Sequence, residues 1–315
     1  MKILVTGGAG FIGAHLCKKL LLDNYEIVCV DNFATSRQEN ISDLKTNKGF
    51  SFVNYDVIKP LPDSIGPVNA IFHLASPASP NHHSKISYHA LPMQTMLVNT
   101  LGTLELLKYA KKHSASFLFA SSSEVYGDPL VHPQTEDYLG NVSTTGPRAV
   151  YDEAKRFGET IVSYFKNHQG VDTRTARIFN TYGPGMLKED MRMIVSFIVQ
   201  AKEGMPITIF GDGTQTRALC YVDDTVDGLI SLMFEERAKG EVVNIGSPDE
   251  HTVLKYAELV KKLTNSKSEI VRSERLPEND PKKRCPDVSK AKRLLSWEPK
   301  VPLETGLTKL IESLS

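Results

Sequence analysis

KILVTGGAGFIGAHLCKKLLL, residues 2–22, joins a β-rich run to a helical one through a turn carrying Gly7, Gly10 and Gly13. Glycines there permit a tight turn and close backbone approach. The unpaired N–H groups at the mouth of the following helix favour a pyrophosphate. A glycine pattern alone is weak evidence; its place between a strand and a helix is what strengthens it. The next strand, EIVCVD, ends in Asp31, at roughly the 20-residue spacing expected of an acid that binds an adenosine ribose. A carboxylate there accepts hydrogen bonds from both ribose hydroxyls and repels a 2′-phosphate, so NAD is expected over NADP. Asp31 as a plain turn residue is the alternative, and Arg37 leaves room for NADP or for a solvated charge.

Residues 1–180 alternate short β-rich runs (FSFVNYD, AIFHLA, SFLFASS, TRTARIF) with helical patterns (LVNTLGTLELLKYAKKH, AVYDEAKRFGETIVSYFKNH). This alternation predicts parallel strands joined by crossover helices, an α/β doubly wound Rossmann sheet. After Asn180 loops rich in Gly, Pro and polar residues separate helical stretches near 190–203, 223–236 and 252–264. That pattern predicts a smaller C-terminal lobe covering the substrate. EVVNI at 241–245 is β-rich enough to return to the main sheet, so 1–180 and 181–315 are expected to interleave.

The 315 residues are 41% hydrophobic and 23% charged, as in a soluble globular protein, and 37 basic residues balance 37 acidic ones. No long block of like charge appears, which argues against a nucleic-acid partner. Cys17, Cys29, Cys220 and Cys285 have neither CxxC spacing nor the density of a disulfide scaffold, so reduced thiols in a cytoplasm are expected. No apolar stretch approaches the roughly 20 residues of a membrane helix, and neither signal peptide nor anchor is expected.

Tyr151-Asp-Glu-Ala-Lys155 falls in a helical stretch, where i,i+4 spacing puts a phenol and an ammonium on one face. A phenol titrating near 10 is a poor base, but an adjacent cation stabilises its phenolate. The YxxxK string is common on helix surfaces; a glycine-rich cofactor turn and the hydroxyls at 121–123 give it meaning here.

HLASPASP (73–80), SSSEVYGDP (121–129), VHPQTEDY (131–138), GPRAVYDEAKR (146–156), RIFNTYGP (177–184), GDGTQTR (211–217), DEHTVLKYAELV (249–260) and RCPDVSKAKRLLSWEPKVPLETGL (284–307) span nearly the whole chain. With them the sequence resembles the extended short-chain dehydrogenases/reductases of the NAD-dependent epimerase/dehydratase family, and within it most resembles the UDP-glucuronate decarboxylases. The resemblance implies NAD contacts from Gly7, Gly10, Phe11, Ile12, Gly13, Asp31, Asn32, Asp56, Val57, Leu74, Ala75, Ser76, Asn99, Tyr151 and Lys155. It makes Ser122 the partner of the sugar 4-hydroxyl, Tyr151 the base, Lys155 its activator, and Ser123 and Glu124 an active-site pair. Asn180, Arg192, Arg217 and Arg284 match positions that contact the diphosphate or the sugar. The implied reaction oxidises C4, loses carbon dioxide from the resulting β-keto acid, and reduces C4 again to give UDP-xylose.

A 4-epimerase needs only the hydroxyl, Tyr and Lys, so Glu124 points to chemistry at C5. The 4,6-dehydratases usually carry Asp-Glu where this chain has Ser123-Glu124, which weakens that reading. Epimerase and dehydratase stay as alternatives, and a non-catalytic NAD-binding scaffold as one of another class. The connection NHHSKISYHALPMQTMLVNTLG is several residues longer than is usual in the family. LGNVSTT (139–145), Gly185 in GPGM and DMRMIVSF (190–197) also depart from its pattern. His82 and His83 are adjacent in a polar loop without ligand spacing elsewhere, so no metal is expected. Tyr88 and Met93 read as surface packing more than as the substrate mouth. The resemblance implies a homodimer through helices near 93–113 and 150–168, and no membrane partner.

Overall fold

The structure is a computed structural model and describes residues 1–272 and 274–314. Seven strands, β1 (Lys2–Thr6), β2 (Glu26–Asp31), β3 (Phe50–Asn54), β4 (Ala70–His73), β5 (Ser116–Ser122), β6 (Thr173–Ile178) and β7 (Val242–Ile245), form one parallel sheet. Their order is β7-β6-β5-β4-β1-β2-β3. The order reverses between β1 and β4, the switch point where open α/β sheets bind ligands beyond the carboxyl ends of their strands. Register brings those ends into line: Thr6 sits opposite Val30 and His73, His73 opposite Phe119, and Ser122 opposite Ile178.

The central strands are apolar on both faces because helices cover both. Ile3, Val5, Ile27, Cys29, Phe72 and Leu118 pack into one core with α1 (Phe11–Leu22). Leu4, Val28, Val30, Ile71, Phe117 and Phe119 alternate into the other, against α3 (Thr103–His113) and α4 (Ala149–Gln169). Strand period two therefore sorts neighbouring side chains onto opposite layers.

The segment read as one helical run is interrupted. Between α2 (Pro92–Leu97) and α3 the backbone forms a π turn at Val98–Gly102. Asn99, Thr100 and Thr103 each bond the carbonyl four residues back, to Thr95, Met96 and Asn99 respectively. Side chains competing for those carbonyls loosen the backbone ladder locally, which suits a π turn. α4 presses on this turn through Gly158: a Cβ there would lie 2.8 Å from the Asn99 carbonyl oxygen and 2.5 Å from the Phe119 ring.

The second lobe carries α5 (Met193–Lys202), α6 (Val222–Phe234), α7 (Val253–Leu263), α8 (Ser289–Leu295) and α9 (Leu303–Ser313). Two-stranded pieces pair Thr181–Tyr182 with Cys220–Tyr221, Thr216–Ala218 with Glu250–Thr252, and Ile207–Ile209 with Ile270–Arg272. Between α6 and α7 the chain returns to the main sheet, where β7 pairs with β6.

Candidate active site

A cavity of about 840 Å³ opens over the carboxyl edge of the sheet and reaches beneath the second lobe. At its floor Gly7 has φ +71° and lies so close to the loop that leaves β4 that a Cβ would meet the Ala75 nitrogen at 2.7 Å. At Gly13 a Cβ would sit 2.1 Å from the Gly7 carbonyl oxygen. The backbone closeness leaves a bare cradle, and no side chain caps the N-terminus of α1 at Gly10. Both features fit a dinucleotide pyrophosphate. Asp31 lies at the cavity edge, its carboxylate accepting from Ala9 N (3.0 Å), Phe33 N (2.8 Å) and Ser36 Oγ (2.7 Å). A carboxylate has about four lone-pair sites, so these bonds leave about one for a ribose hydroxyl. Arg37 is drawn away into an ion pair with Glu189 at 2.7 Å.

Phe11, Ile12, Asn32, Asp56, Val57, Leu74, Ala75 and Ser76 all line the cavity. Asn99 is buried under it, donating to Ser76 Oγ at 2.9 Å, and its own Oδ1 has no partner among the described residues. His73 braces this corner between the Thr6 hydroxyl (2.8 Å) and the Val98 carbonyl (3.3 Å). Burial lowers His73 to about 3, so the ring is neutral.

Ser122 ends β5, and Tyr151 and Lys155 face it from the first turns of α4; all three line the cavity. Burial pushes the Tyr151 phenol up to about 12, against the pull of the Ser122 hydroxyl bonded to it. Lys155 Nζ lies 5.7 Å from the Tyr151 ring centre but donates to the Ala120 carbonyl at 2.7 Å. Burial lowers Lys155 to about 7, while Glu159 pulls it the other way. Among the charges around the phenol, Arg192 pulls it down while Glu124 and Asp152 push it up.

Glu124 sits at the centre of a charge network. Arg148 Nη2 donates to its Oε2 at 2.6 Å, and Arg284 pairs with its Oε1. Burial favours the neutral acid, but the two guanidiniums hold the carboxyl down at about 2. Arg284 also reaches the Gly127 carbonyl at 2.9 Å and approaches Ser123 Oγ at 3.5 Å. Arg284 stands behind Glu124 rather than among the residues lining the cavity. Asp280 bridges Arg148 (3.1 Å) and Arg217 (2.6 Å). Beside them burial, and then Glu124, pushes the Asp152 carboxyl far above the ordinary carboxylate range, up to about 8.

Asn180, Arg192 and Arg217 line the cavity from the second-lobe side, Arg192 paired with Asp190 at 3.0 Å. Arg148, Asp280 and Tyr88 also line it and were not singled out from sequence as site residues. Arg148 carried a signal, since it lies three residues before Tyr151 on the same helical face. Asp280 carried none. Tyr88 and Met93 correct the expectation of surface packing, since both line the cavity: Tyr88 is fully buried and stacked on Tyr151, while Met93 is 56% exposed. His82 and His83 are exposed in their loop, and Glu274 reaches both rings from a distant segment.

Residues 3–246 match the NAD dependent epimerase/dehydratase family model. The chain is 49% identical over 316 residues to UDP-glucuronic acid decarboxylase 1 of Danio rerio, covering 100% of this chain and 72% of that protein. It is 47% identical to UDP-glucuronic acid decarboxylase 3 of Arabidopsis thaliana, covering 98% and 87%. Among solved structures it is similar to UDP-glucuronic acid 4-epimerase from Bacillus cereus in complex with UDP-glucuronic acid and NAD, with TM-score 0.87, 32% identity and coverage of 100% and 99%. It is also similar to the UDP-glucose 4-epimerase of Thermotoga maritima with UDP-glucose, with TM-score 0.89, 31% identity and coverage of 100% and 98%.

Proposed function

The chain belongs to the NAD dependent epimerase/dehydratase family, and on that premise we infer that it converts UDP-glucuronate to UDP-xylose and carbon dioxide, redox-neutral overall. It is an NAD-dependent nucleotide-sugar carboxy-lyase. The observation that carries this reading is likeness to decarboxylases over 98–100% of this chain at 44–49% identity, against 30–32% for the B. cereus and T. maritima 4-epimerases.

Three cavity-lining guanidiniums, Arg148, Arg192 and Arg217, suit a substrate with two phosphates and a carboxylate. Residues 1–180 are assigned to NAD binding, and 181–315 mainly to the nucleotide sugar. Gly7, Gly10 and Gly13 would hold the pyrophosphate of NAD, Asp31 its ribose, and Tyr151 and Lys155 its nicotinamide end. NAD, when bound, supplies the acceptor and later the donor of one hydride at C4.

Ser122 orients the 4-hydroxyl, and Tyr151 accepts its proton as C4 becomes a ketone. The C5–C6 bond of the β-keto acid then breaks; its electron pair enters the C4–C5 enolate and C6 leaves as carbon dioxide. A proton from solvent water adds at C5 in place of the lost carboxylate, and Tyr151 gives its proton back to the C4 oxygen as hydride is restored to C4. Glu124, fixed as an anion between Arg148 and Arg284, orients the sugar near C5. Ser123 supports the same corner, and Asn180 holds the diphosphate end.

A homodimer through α2–α3 and α4 is part of this proposal. Phe157 and Tyr164 on α4 and Met93 and Leu101 beside it leave apolar surface exposed. A cytoplasmic setting is supported by the free thiols of all four cysteines. Among the described residues no helix is long and apolar enough to cross a membrane.

Proton NMR of UDP-glucuronate incubated with the enzyme and NAD tests the reaction. A UDP-pentose is expected. A C4 epimer or unchanged substrate overturns decarboxylation.

A further inference from the structure

At the outer rim of the cavity, away from Ser122 and Tyr151, two imidazoles and a carboxylate converge from distant parts of the chain. His83 Nε2 lies 3.1 Å from Glu274 Oε1 and His82 Nε2 lies 3.7 Å from Oε2. The imidazole centres are 4.0 Å apart, and one donor atom from each residue falls within 4.8 Å of the others. Zinc with nitrogen and oxygen ligands at about 2.0–2.1 Å in a tetrahedron sets its donors about 3.3 Å apart. Each imidazole lies near that spacing from one of the two carboxylate oxygens, and with a single oxygen as donor the set spans no more than 4.8 Å. Small rotations of exposed side chains would close the set.

The backbones beneath these side chains are anchored. Asn81 Oδ1 accepts from His83 N at 2.9 Å, and Asn81 Nδ2 donates to the Met191 carbonyl at 2.7 Å. Ser84 Oγ donates to the Glu189 carbonyl at 2.5 Å. The carbonyl of Glu274 accepts from Gly211 N at 2.8 Å. Donors on anchored backbone lose less freedom when they bind, and a nearly formed geometry favours the ion.

We propose that His82, His83 and Glu274 bind one divalent transition-metal cation of the zinc type, which clamps the 81–84 loop to the 274–280 segment across the cavity mouth. Two imidazoles with one carboxylate is a zinc-like donor set with a fourth position left open, and imidazole disfavours Mg²⁺ and Ca²⁺. The 274–280 segment already touches the interior, where Leu276 and Pro277 line the cavity and Asp280 bridges Arg148 and Arg217. An ion at the outer end pins the segment at both ends. It therefore slows exchange of the nucleotide sugar without touching the reacting atoms.

Chelator-stripped full-length protein titrated with Zn²⁺ by calorimetry, and with Co²⁺ by its visible absorption, tests the site without substrate. One ion per chain and tetrahedral Co²⁺ bands are expected, with affinity falling about tenfold or more in His82→Ala, His83→Ala and Glu274→Gln. Equal thermal midpoints in chelator, expected for exposed side chains, show that the variants fold. No binding at millimolar Zn²⁺, or binding that all three substitutions leave unchanged, overturns the site. Stopped-flow association of UDP-glucuronate then tests the clamp: slowing by Zn²⁺ in the parent but not in His83→Ala is expected. An association rate insensitive to bound Zn²⁺ overturns the clamp. The metal titrations do not depend on which reaction the enzyme performs.

Discussion

The ring of Tyr88 lies flat against that of Tyr151, their centres 5.0 Å apart and their planes 13° from parallel. Tyr88 comes from the lengthened loop and is fully buried, with no partner for its hydroxyl among the described residues. The stack holds the proposed base in one orientation. Such a pair contributes about 0.5–1.5 kcal/mol beyond simple burial. Tyr88→Leu should therefore lower kcat roughly 2- to 10-fold while NAD affinity stays unchanged. Tyr88→Phe keeps the stack and removes an unsatisfied hydroxyl, so its thermal midpoint should equal or exceed the parent's. A clear loss of stability in Tyr88→Phe would show that the hydroxyl has a partner.

Tyr151→Phe removes the proton acceptor without emptying its pocket. Turnover of UDP-glucuronate should drop about 10²- to 10⁴-fold, the range for loss of a positioned base. NAD binding by calorimetry should remain. A variant that still makes pentose at the parent rate removes Tyr151 from the mechanism.

Glu124 gives a pH dependence of definite sign. Its folded pKa of about 2 lies below the ordinary 4.5, despite burial, because Arg148 and Arg284 favour the anion. The stability it contributes is fully present above about pH 4.5 and is lost as pH falls toward 2. Denaturant melts across that interval should show a steeper loss in the parent than in Glu124→Gln. The variant should also be less stable at neutral pH, since two buried guanidiniums lose their counter-charge. Parallel curves would remove the charge network from the stability of the fold.

Lys155 and Tyr151 together shape the rate profile. The productive pair is a charged Lys155 with an ionised Tyr151, yet burial lowers the first to about 7 and raises the second to about 12. Below pH 7 Lys155 stays charged while the ionised fraction of Tyr151 grows with pH. Above it, loss of the ammonium cancels the gain in phenolate. kcat/KM should therefore climb and level off near pH 7. In Lys155→Met the rate should be lower and that break absent; a parent profile still climbing across the alkaline range contradicts the pairing.

Asp31→Ala should weaken NAD by about 10-fold or more, since a hydrogen bond from a ribose hydroxyl to a charged carboxylate contributes about 1.5–3 kcal/mol. Calorimetry with NAD and NADP measures both limbs. Unchanged NAD affinity would make Asp31 a turn residue alone, bonded to Ala9, Phe33 and Ser36.

The cofactor half was legible because its signals are local. A glycine turn between a strand and a helix, an acid at the end of the next strand, and a phenol and ammonium four residues apart are short-range patterns, and backbone geometry turns each into a fixed placement. The π turn was not legible, since LVNTLGTLELLKYAKKH keeps a helical apolar period straight through it. Competition by Asn99, Thr100 and Thr103 for backbone carbonyls is a polar effect that hydrophobic periodicity does not register.

The doubly wound sheet and the glycine turn at the NAD end follow from strand and helix periods and turn chemistry, which act over a few residues, and the family resemblance pointed to Ser122, Tyr151 and Lys155. What surrounds those residues depended on how the chain packs. Glu124 meets Arg284 across 160 positions, Arg148 meets Asp280 across 132, and His83 meets Glu274 across 191. Such pairs leave no local pattern; they form where two lobes close over one cavity and buried charges require partners.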